Sequence, residues 1–379
     1  MSNYNKKNIV IIGAGIIGAT LAYFLSKRTS NITVLESNNP GSGASDHSFA
    51  WINSFGKEPW SYHDLNHRSL NLWHRFSAEL GRDLDLHWGG ALNWVNTDSG
   101  AKTLQQKVIK LQKWGYPARL ISREEIHDLE PGLIPGEITA AAYSEGDGKV
   151  LPIKVVEAAL LKAKQAGAEI YSSHKVIALN HSVSSTGEIV VNSVQTEQKE
   201  FPCDVVVLAG GTETSHLASM INLSIPQQES PGVVIWTSPQ PQLLKTVSVM
   251  YMPSTSVDKP GIHVRQDSDG RLVIGEGTQE HMAENDSQEH ADELLLRTAE
   301  FLPPLKDAQA LPVIVGYRPM PADGLPVIGF SERATNCYVT LMHSGVTLAP
   351  LVGSLGATEI MENIEVELFK PYRLERFQK

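Results

Sequence analysis

The sequence predicts an α/β protein: a doubly wound parallel sheet, interrupted by a discontinuous α+β domain built on a mixed or antiparallel sheet. Three observations carry that expectation. A short β-branched run, Asn8 to Ile12, leads through Gly13-Ala14-Gly15-Ile16-Ile17-Gly18 into a stretch with helical apolar spacing. A second apolar run inside Phe201 to Gly211 (FPCDVVVLAGG) ends in small residues only. Near the C-terminus a strand from Cys337 to Leu341 runs into His343-Ser344-Gly345-Val346-Thr347-Leu348-Ala349-Pro350 and a helix to about Met361.

Composition bounds the rest. A chain of 379 residues suggests two or three domains and buries a full core without staples. Its 20% charged and 41% hydrophobic residues are those of an ordered globular protein. With 32 Lys+Arg against 42 Asp+Glu the formal net charge is −10, which argues against nucleic-acid binding. Cys203 and Cys337 are the only cysteines, so a disulfide scaffold and a cysteine-based metal centre are excluded and a reducing, cytoplasmic setting is expected. The 13 histidines show no metal-ligand spacing, and no metal is assigned. Lys6 and Lys7 before the apolar run Ile9 to Leu25 imitate a targeting segment, but the glycine spacing inside it favours a strand, turn and helix. No other stretch reaches the roughly 18 apolar residues of a membrane span.

The N-terminal elements read in order as a dinucleotide fingerprint. Gly13 permits the tight turn, Gly15 lets backbone approach a pyrophosphate, and Gly18 lets helix pack on strand. The helix carries Ile17, Leu21, Phe24 and Leu25 on one face, and its free amides and dipole suit a diphosphate. Ile32 to Leu35 is the next strand, and Glu36 at its end is placed to accept ribose hydroxyls. Pro40 to Ser45 is a run of small residues able to wrap a long cofactor. Val155 to Gly167 is a helix with a glycine cap, followed by a strand at Ala168 to Tyr171. The helix beginning near Ser344 presents amides that suit an electron-rich group.

The remaining segments form two inserts. In the first, Tyr62 to Leu80 is a helix capped by Gly81; Leu104, Val108 and Leu111 mark a second; and Ser122-x-x-Glu125 is a capping box before a third. In the second, Ile262 to Arg265 and Arg271 to Gly275 are strands about a turn at Asp267 to Gly270, and Pro303-Pro304 closes a helix from about Gln288. Trp51, Trp60, Trp73, Trp88 and Trp94 read as core. The expected partition assigns 1–55, 145–225 and 316–379 to the cofactor domain, and 56–144 and 226–315 to the substrate domain.

VIIGAGIIG with Glu36, GSGAS-DHSFA, VVVLAGG, GYRPMPADGLPVIG and HSGVTLAPLVG together resemble the FAD-dependent D-amino acid oxidase superfamily, in the branch with glycine oxidase, sarcosine oxidase and the D-amino acid dehydrogenases. The resemblance covers nearly the whole chain. It implies a Rossmann-like, GR2-type FAD-binding domain. Gly13, Gly15, Ile16, Ile17, Gly18, Glu36 and Ser37 would hold the adenosine diphosphate, with Ser45 and Ser48 near the pyrophosphate and flavin. Val176 would meet the adenine through its backbone, Gly210 and Gly211 would back the cofactor, and Gly345, Val346 and Thr347 would face the pyrimidine edge of the isoalloxazine. The chain departs from linked-flavin relatives at two places: Gly316 stands where a flavin-linking cysteine is found, and Ala50 where a flavin-carrying histidine is found, with His47 three positions earlier. Non-covalent FAD is therefore expected.

The resemblance further implies oxidation of a C–N bond of a small amino acid or amine, by hydride transfer from Cα to flavin N5, with hydrolysis of the imine. Reoxidation would fall to dioxygen or to a quinone, the latter placing the protein at a membrane surface; oligomerisation is left open. Arg318 matches the arginine that takes the substrate carboxylate, a task suited to its planar fork; a structural pairing with Asp323 is the alternative. His263 aligns with a pocket tyrosine or else faces solvent. His343 either lies over the ring or relays protons, and Tyr251 is a further pocket candidate. Competing functions are an N-demethylating sarcosine-type enzyme, a non-catalytic subunit of a larger complex, and a nicotinamide dehydrogenase.

Overall fold

A computed structural model of the chain describes residues 7–377 apart from 30, 256–257, 278–281, 283 and 314. The N-terminal run forms the strand Ile9–Ile12, all of it buried. It sits inside a six-stranded sheet in the order Val327–Phe330, Cys337–Leu341, Val205–Leu208, Ile9–Ile12, Ile32–Leu35, Glu169–Tyr171. Its neighbours pair in parallel throughout, except that Val327–Phe330 runs antiparallel to Cys337–Leu341. Such a sheet is covered on both faces, which is why its strands read as unbroken apolar runs. Ile9 and Ile11 face a core built with the helices Ile16–Ser26, Pro152–Gln165 and Gly345–Glu362. Val10 and Ile12 face the opposite way, onto Val176, Leu179, Val191 and Val194. Those four belong to a three-stranded antiparallel meander, Val176–Val183, Ile189–Thr196 and Glu200–Pro202, which the sequence pattern does not separate from its surroundings.

The two inserts combine into one eight-stranded sheet. Its order is Ala310–Pro312, Val234–Thr237, Leu272–Glu276, Ile262–Gln266, Val249–Met252, Ala91–Val95, Ala140–Ser144, Ala118–Ile121. Every pairing is antiparallel except Val249–Met252 with Ala91–Val95, the seam where the second insert meets the first. The helix Gln288–Phe301 packs Leu294 and Ala291 into the core of this sheet with Leu92, Trp94, Ile262 and Ile274. Local signals end the insert helices as expected: Gly81 in the left-handed region closes Trp60–Leu80, and Ser122 with Glu125 forms the capping box before Arg123–Leu129. Short ribbons bind the crossings between the sheets, among them Trp51–Ile52 with Gly148–Lys149 and Pro231–Gly232 with Gly316–Tyr317.

The tryptophan expectation needs correction. Trp73 and Trp94 are core. Trp60 is 48% exposed at the start of its helix, and Trp51 lines the main cleft. Periodicity places an aromatic on a helix face, but says nothing of whether another sheet covers that face.

Candidate functional site

Between the two sheets runs a cleft of about 1350 Å³. That exceeds what a drug-sized ligand needs and has room for an extended dinucleotide and a small substrate together. One end lies at the carboxyl ends of the parallel strands, where ligands bind in open α/β sheets.

At this end the lining is backbone. Gly13 has φ +103°, and a Cβ there would stand 2.3 Å from the Ala209 carbonyl oxygen, so any side chain collides. The helix Ile16–Ser26 begins on Gly15, which lacks a capping side chain; Ser45 of the small-residue loop supplies it, its Oγ accepting the Ile16 N–H at 3.1 Å. Glu36 is oriented by backbone: Oε2 accepts the Ala14 N–H and Oε1 the Asn38 N–H, both at 2.9 Å, and Ser37 Oγ donates to Oε1. Gly15, Ile16 and Ile17 line the cleft beside them, as do Ser48 and Val176. Gly18 lies behind the wall, against the Gly13 carbonyl, where it sets the closeness of helix and strand. Gly210 and Gly211 also line the cleft, beside the first glycine loop at the end of the neighbouring strand, with Gly210 Cα 3.0 Å from where a Cβ on Gly13 would stand.

The helix Gly345–Glu362 enters the cleft with its first turn, Gly345, Val346 and Thr347. Thr347 Oγ1 donates to the Trp51 carbonyl and accepts the Asn53 N–H, both at 3.3 Å, so the turn is tied to the start of the first insert. Tyr62, from the helix Trp60–Leu80, donates to Ser344 Oγ at 3.0 Å; burial pushes its phenol up to about 12.

Beyond this turn the lining changes to side chains. Arg318, His263, His343 and Tyr251 all line this end, brought together from separate segments. The arginine's Nη1 donates to the Pro231 carbonyl at 2.5 Å, and its guanidinium fills the space over Gly232. Asp323, the alternative partner, is gripped instead by Arg376 at 2.7 and 3.0 Å. His263 is not solvent-facing. Its ring lies 4.4 Å edge-on from Phe49 and 5.1 Å stacked on Tyr251, the neighbouring strand residue in register. Burial, then the Arg318 charge, lowers the His263 imidazole to about 3. His343 is likewise held well below its ordinary value by burial, Lys57 and Arg318. Both rings are thus neutral at pH 7, able to accept or donate a proton in a hydrogen bond but adding no charge beside the arginine.

Several lining residues carry no clear signal in the sequence. Asn93 pairs with Tyr251 across the parallel seam, Trp51 packs 5.5 Å from the Tyr251 ring, and Lys57 and Lys107 reach the same chamber. Trp51 is held from behind by Asp147, whose Oδ2 accepts the indole N–H at 2.9 Å while Tyr116 donates to Oδ1. Burial raises the Asp147 carboxyl to about 8, so it is largely neutral at pH 7. Phe55-Gly56-Lys57 follows the small-residue loop closely enough to be suspected; Lys107, on an amphipathic surface helix, has no such signal.

A glycine-built nucleotide cradle facing a chamber on a second sheet defines a dinucleotide-cofactor enzyme with a separate substrate domain. The chain belongs to the family of FAD dependent oxidoreductases, whose model matches residues 8–358. It is 26% identical to a glycine oxidase of Geobacillus kaustophilus over 98% of this chain and 97% of that one. It is also 26% identical to one subunit of an opine oxidase of Rhizobium meliloti, over 90% of both. Among solved structures it resembles an L-proline dehydrogenase from P. horikoshii with a TM-score of 0.84, 25% identity and 98% of each chain covered. FAD is therefore the cofactor, and the residues present fit it: a collision-limited glycine turn, an exposed helix start and a carboxylate oriented at the strand end. Among the described residues no helix is long and apolar enough to cross a membrane.

Proposed function

We propose that the protein oxidises the C–N bond of a small amino acid, taking the substrate carboxylate at Arg318. One observation carries this reading: a guanidinium, anchored by the Pro231 carbonyl, lines the cofactor cleft beside two half-buried histidines whose rings are neutral. Arg318 would accept the carboxylate as a bidentate ion pair and fix Cα by positioning. His263, Tyr251 and His343 would pack about the amine and the α-substituent. The two neutral imidazoles can accept a hydrogen bond from the amine and place no carboxylate beside it to hold it as an ammonium. Bound FAD supplies the acceptor for the hydride leaving Cα. Gly13, Gly15, Ile16, Ile17, Glu36 and Ser37 would hold its adenosine diphosphate; Ser45 and Ser48 would lie near the pyrophosphate and flavin; Val176 would meet the adenine through its backbone; Gly210 and Gly211 would back the cofactor; and Gly345, Val346 and Thr347 would face its pyrimidine edge. Gly18 would act through packing.

FAD is held non-covalently on this reading. The space over Gly316 is taken by His47, since a Cβ at Gly316 would stand 2.7 Å from the His47 Cβ, and His47 Nδ1 itself lies 3.1 Å from the Gly43 carbonyl. Acid precipitation should leave the yellow colour in the supernatant; colour in the pellet would refute it. Cys203 and Cys337, both buried free thiols, support a reducing compartment. The likeness to a protein that is one subunit of an oxidase favours a second reading, in which the chain works beside another polypeptide. Turnover by the isolated chain decides between them, and ammonia rather than formaldehyde as product separates the main reading from N-demethylation.

A further inference from the structure

The turn Gly345 to Thr347 is held from behind by one face of the helix Trp60–Leu80. Tyr62, Ser69 and Trp73 follow at seven- and four-residue intervals, which puts them on a single stripe of that helix, and all three are buried. Each donates to the start of the helix Gly345–Glu362: Tyr62 Oη to Ser344 Oγ at 3.0 Å, Ser69 Oγ to the Thr347 carbonyl at 2.7 Å, and Trp73 Nε1 to the same carbonyl at 3.1 Å. Ser69 and Trp73 have no exposed surface and lie behind the cleft wall, so they reach a ligand only through the turn.

The turn needs this support. Ser344 is a non-glycine residue at φ +61°, and its hydroxyl, engaged with Tyr62, does not cap the helix. Such a backbone conformation persists where neighbours hold it. Pro350 lacks the N–H that would bond the Val346 carbonyl, so the helix's own ladder is interrupted in its first turns. The Leu351 N–H stands 3.4 Å from Ser69 Oγ, a further tie to the insert helix. The first amides are left without a side-chain cap, with the positive end of the helix dipole behind them. Reduction of bound FAD brings negative charge to its pyrimidine edge, and fixed amides favour that state only when aimed at it.

We propose that Tyr62, Ser69 and Trp73 are positioning residues for the flavin: this face of the insert helix sets where the turn presents its amides, and so how readily bound FAD is reduced. This rests on the reading above that Gly345, Val346 and Thr347 face the pyrimidine edge.

The test is the two-electron midpoint potential of the FAD-loaded chain, read beside a reference dye during reduction by dithionite, with flavin content and unfolding temperature measured on the same samples. Ser69→Ala combined with Trp73→Phe should lower the potential by about 30 mV or more, a tenfold change in the reduction equilibrium. Tyr62→Phe should shift it the same way by less, and where the double variant holds no flavin, Ser69→Ala alone should show the shift. Val346→Pro, which removes an amide the helix does not use, should lower the potential directly. Leu294→Ala, in the core of the other sheet, should lower the unfolding temperature and leave the potential unchanged. A wild-type potential in the Ser69, Trp73 and Tyr62 variants, with a lowered one in Val346→Pro, would overturn the inference and leave the reading of the turn standing. A shift in Leu294→Ala as large as in the double variant would also overturn it, since the potential would then follow stability alone. No shift in Val346→Pro would overturn the reading of the turn and the inference with it.

Discussion

At the nucleotide end the cleft is made of main chain: a turn that admits no Cβ at Gly13, a helix start at Gly15, and a carboxylate held by two amides. At the substrate end it is made of side chains delivered by the first insert, two strands of the second, and the C-terminal segment: Lys57, Tyr251, His263 and Arg318. A site made of backbone depends on residues being small and in a fixed local order. A site made of side chains depends on which distant segments the fold brings together. The first kind should fail abruptly under a minimal substitution, and the second should lose function in graded steps while its frame persists.

The largest effect is expected at Gly13. Gly13→Ala forces a Cβ toward the Ala209 carbonyl at a φ that L-residues avoid, a cost of about 2–4 kcal/mol concentrated in the cofactor turn. Purified variant protein should carry little or no flavin absorbance and unfold at lower temperature. Retention of a full complement of flavin would break the comparison.

Next comes Arg318→Ala. Flavin content should be unchanged and kcat/KM for an amino acid should fall by about 10²–10³, with Arg318→Lys intermediate because an ammonium lacks the planar fork. Loss of flavin together with activity would show that the two ends are not separable.

A smaller effect concerns the support behind Trp51. The Asp147 carboxyl sits at about 8 in the fold, against about 4 in an unfolded chain, so the folded state binds the extra proton between those values. Its contribution to stability is complete below pH 4 and is lost as pH rises toward 8. Asp147→Asn, a mimic of the neutral acid, should remove this slope. Denaturant unfolding at pH 5.5 and 8.5 should show the wild type losing about 1–3 kcal/mol relative to the variant as pH rises. Parallel profiles would contradict a buried neutral carboxyl. The smallest effect is expected from Ser45→Ala, which removes the tertiary cap from the first helix at a cost of about 1 kcal/mol.

What the sequence reveals in advance follows the same division. The strand Ile32–Leu35 and the strand Cys337–Leu341 appear where periodicity puts them, since buried parallel strands are written as continuous apolar runs. Gly13, Gly15 and Glu36 are legible because the chemistry lies in consecutive residues. Arg318, His263 and Tyr251 are nameable through a resemblance that spans the chain, not through their neighbours in sequence. Lys107 and Asp147 are invisible to both. One sits on a helix whose charged residues look like a solvated face, and the other's importance arises only when Tyr116 and Trp51 fold onto it. Trp51 reads as core from its residue type; it packs on the core with one side and lines the cleft with the other, a division its local sequence does not show.

The most direct test of the central claim, that Arg318 brings an amino acid to the flavin, is anaerobic addition of D-, L- and N-substituted amino acids to wild type and Arg318→Ala side by side. The account predicts that one class bleaches the flavin band of the wild type, and that the variant, with equal flavin content, needs concentrations higher by a factor of about 100 or more to respond. Equal bleaching of the two proteins at equal concentration, or no bleaching of either, would contradict it.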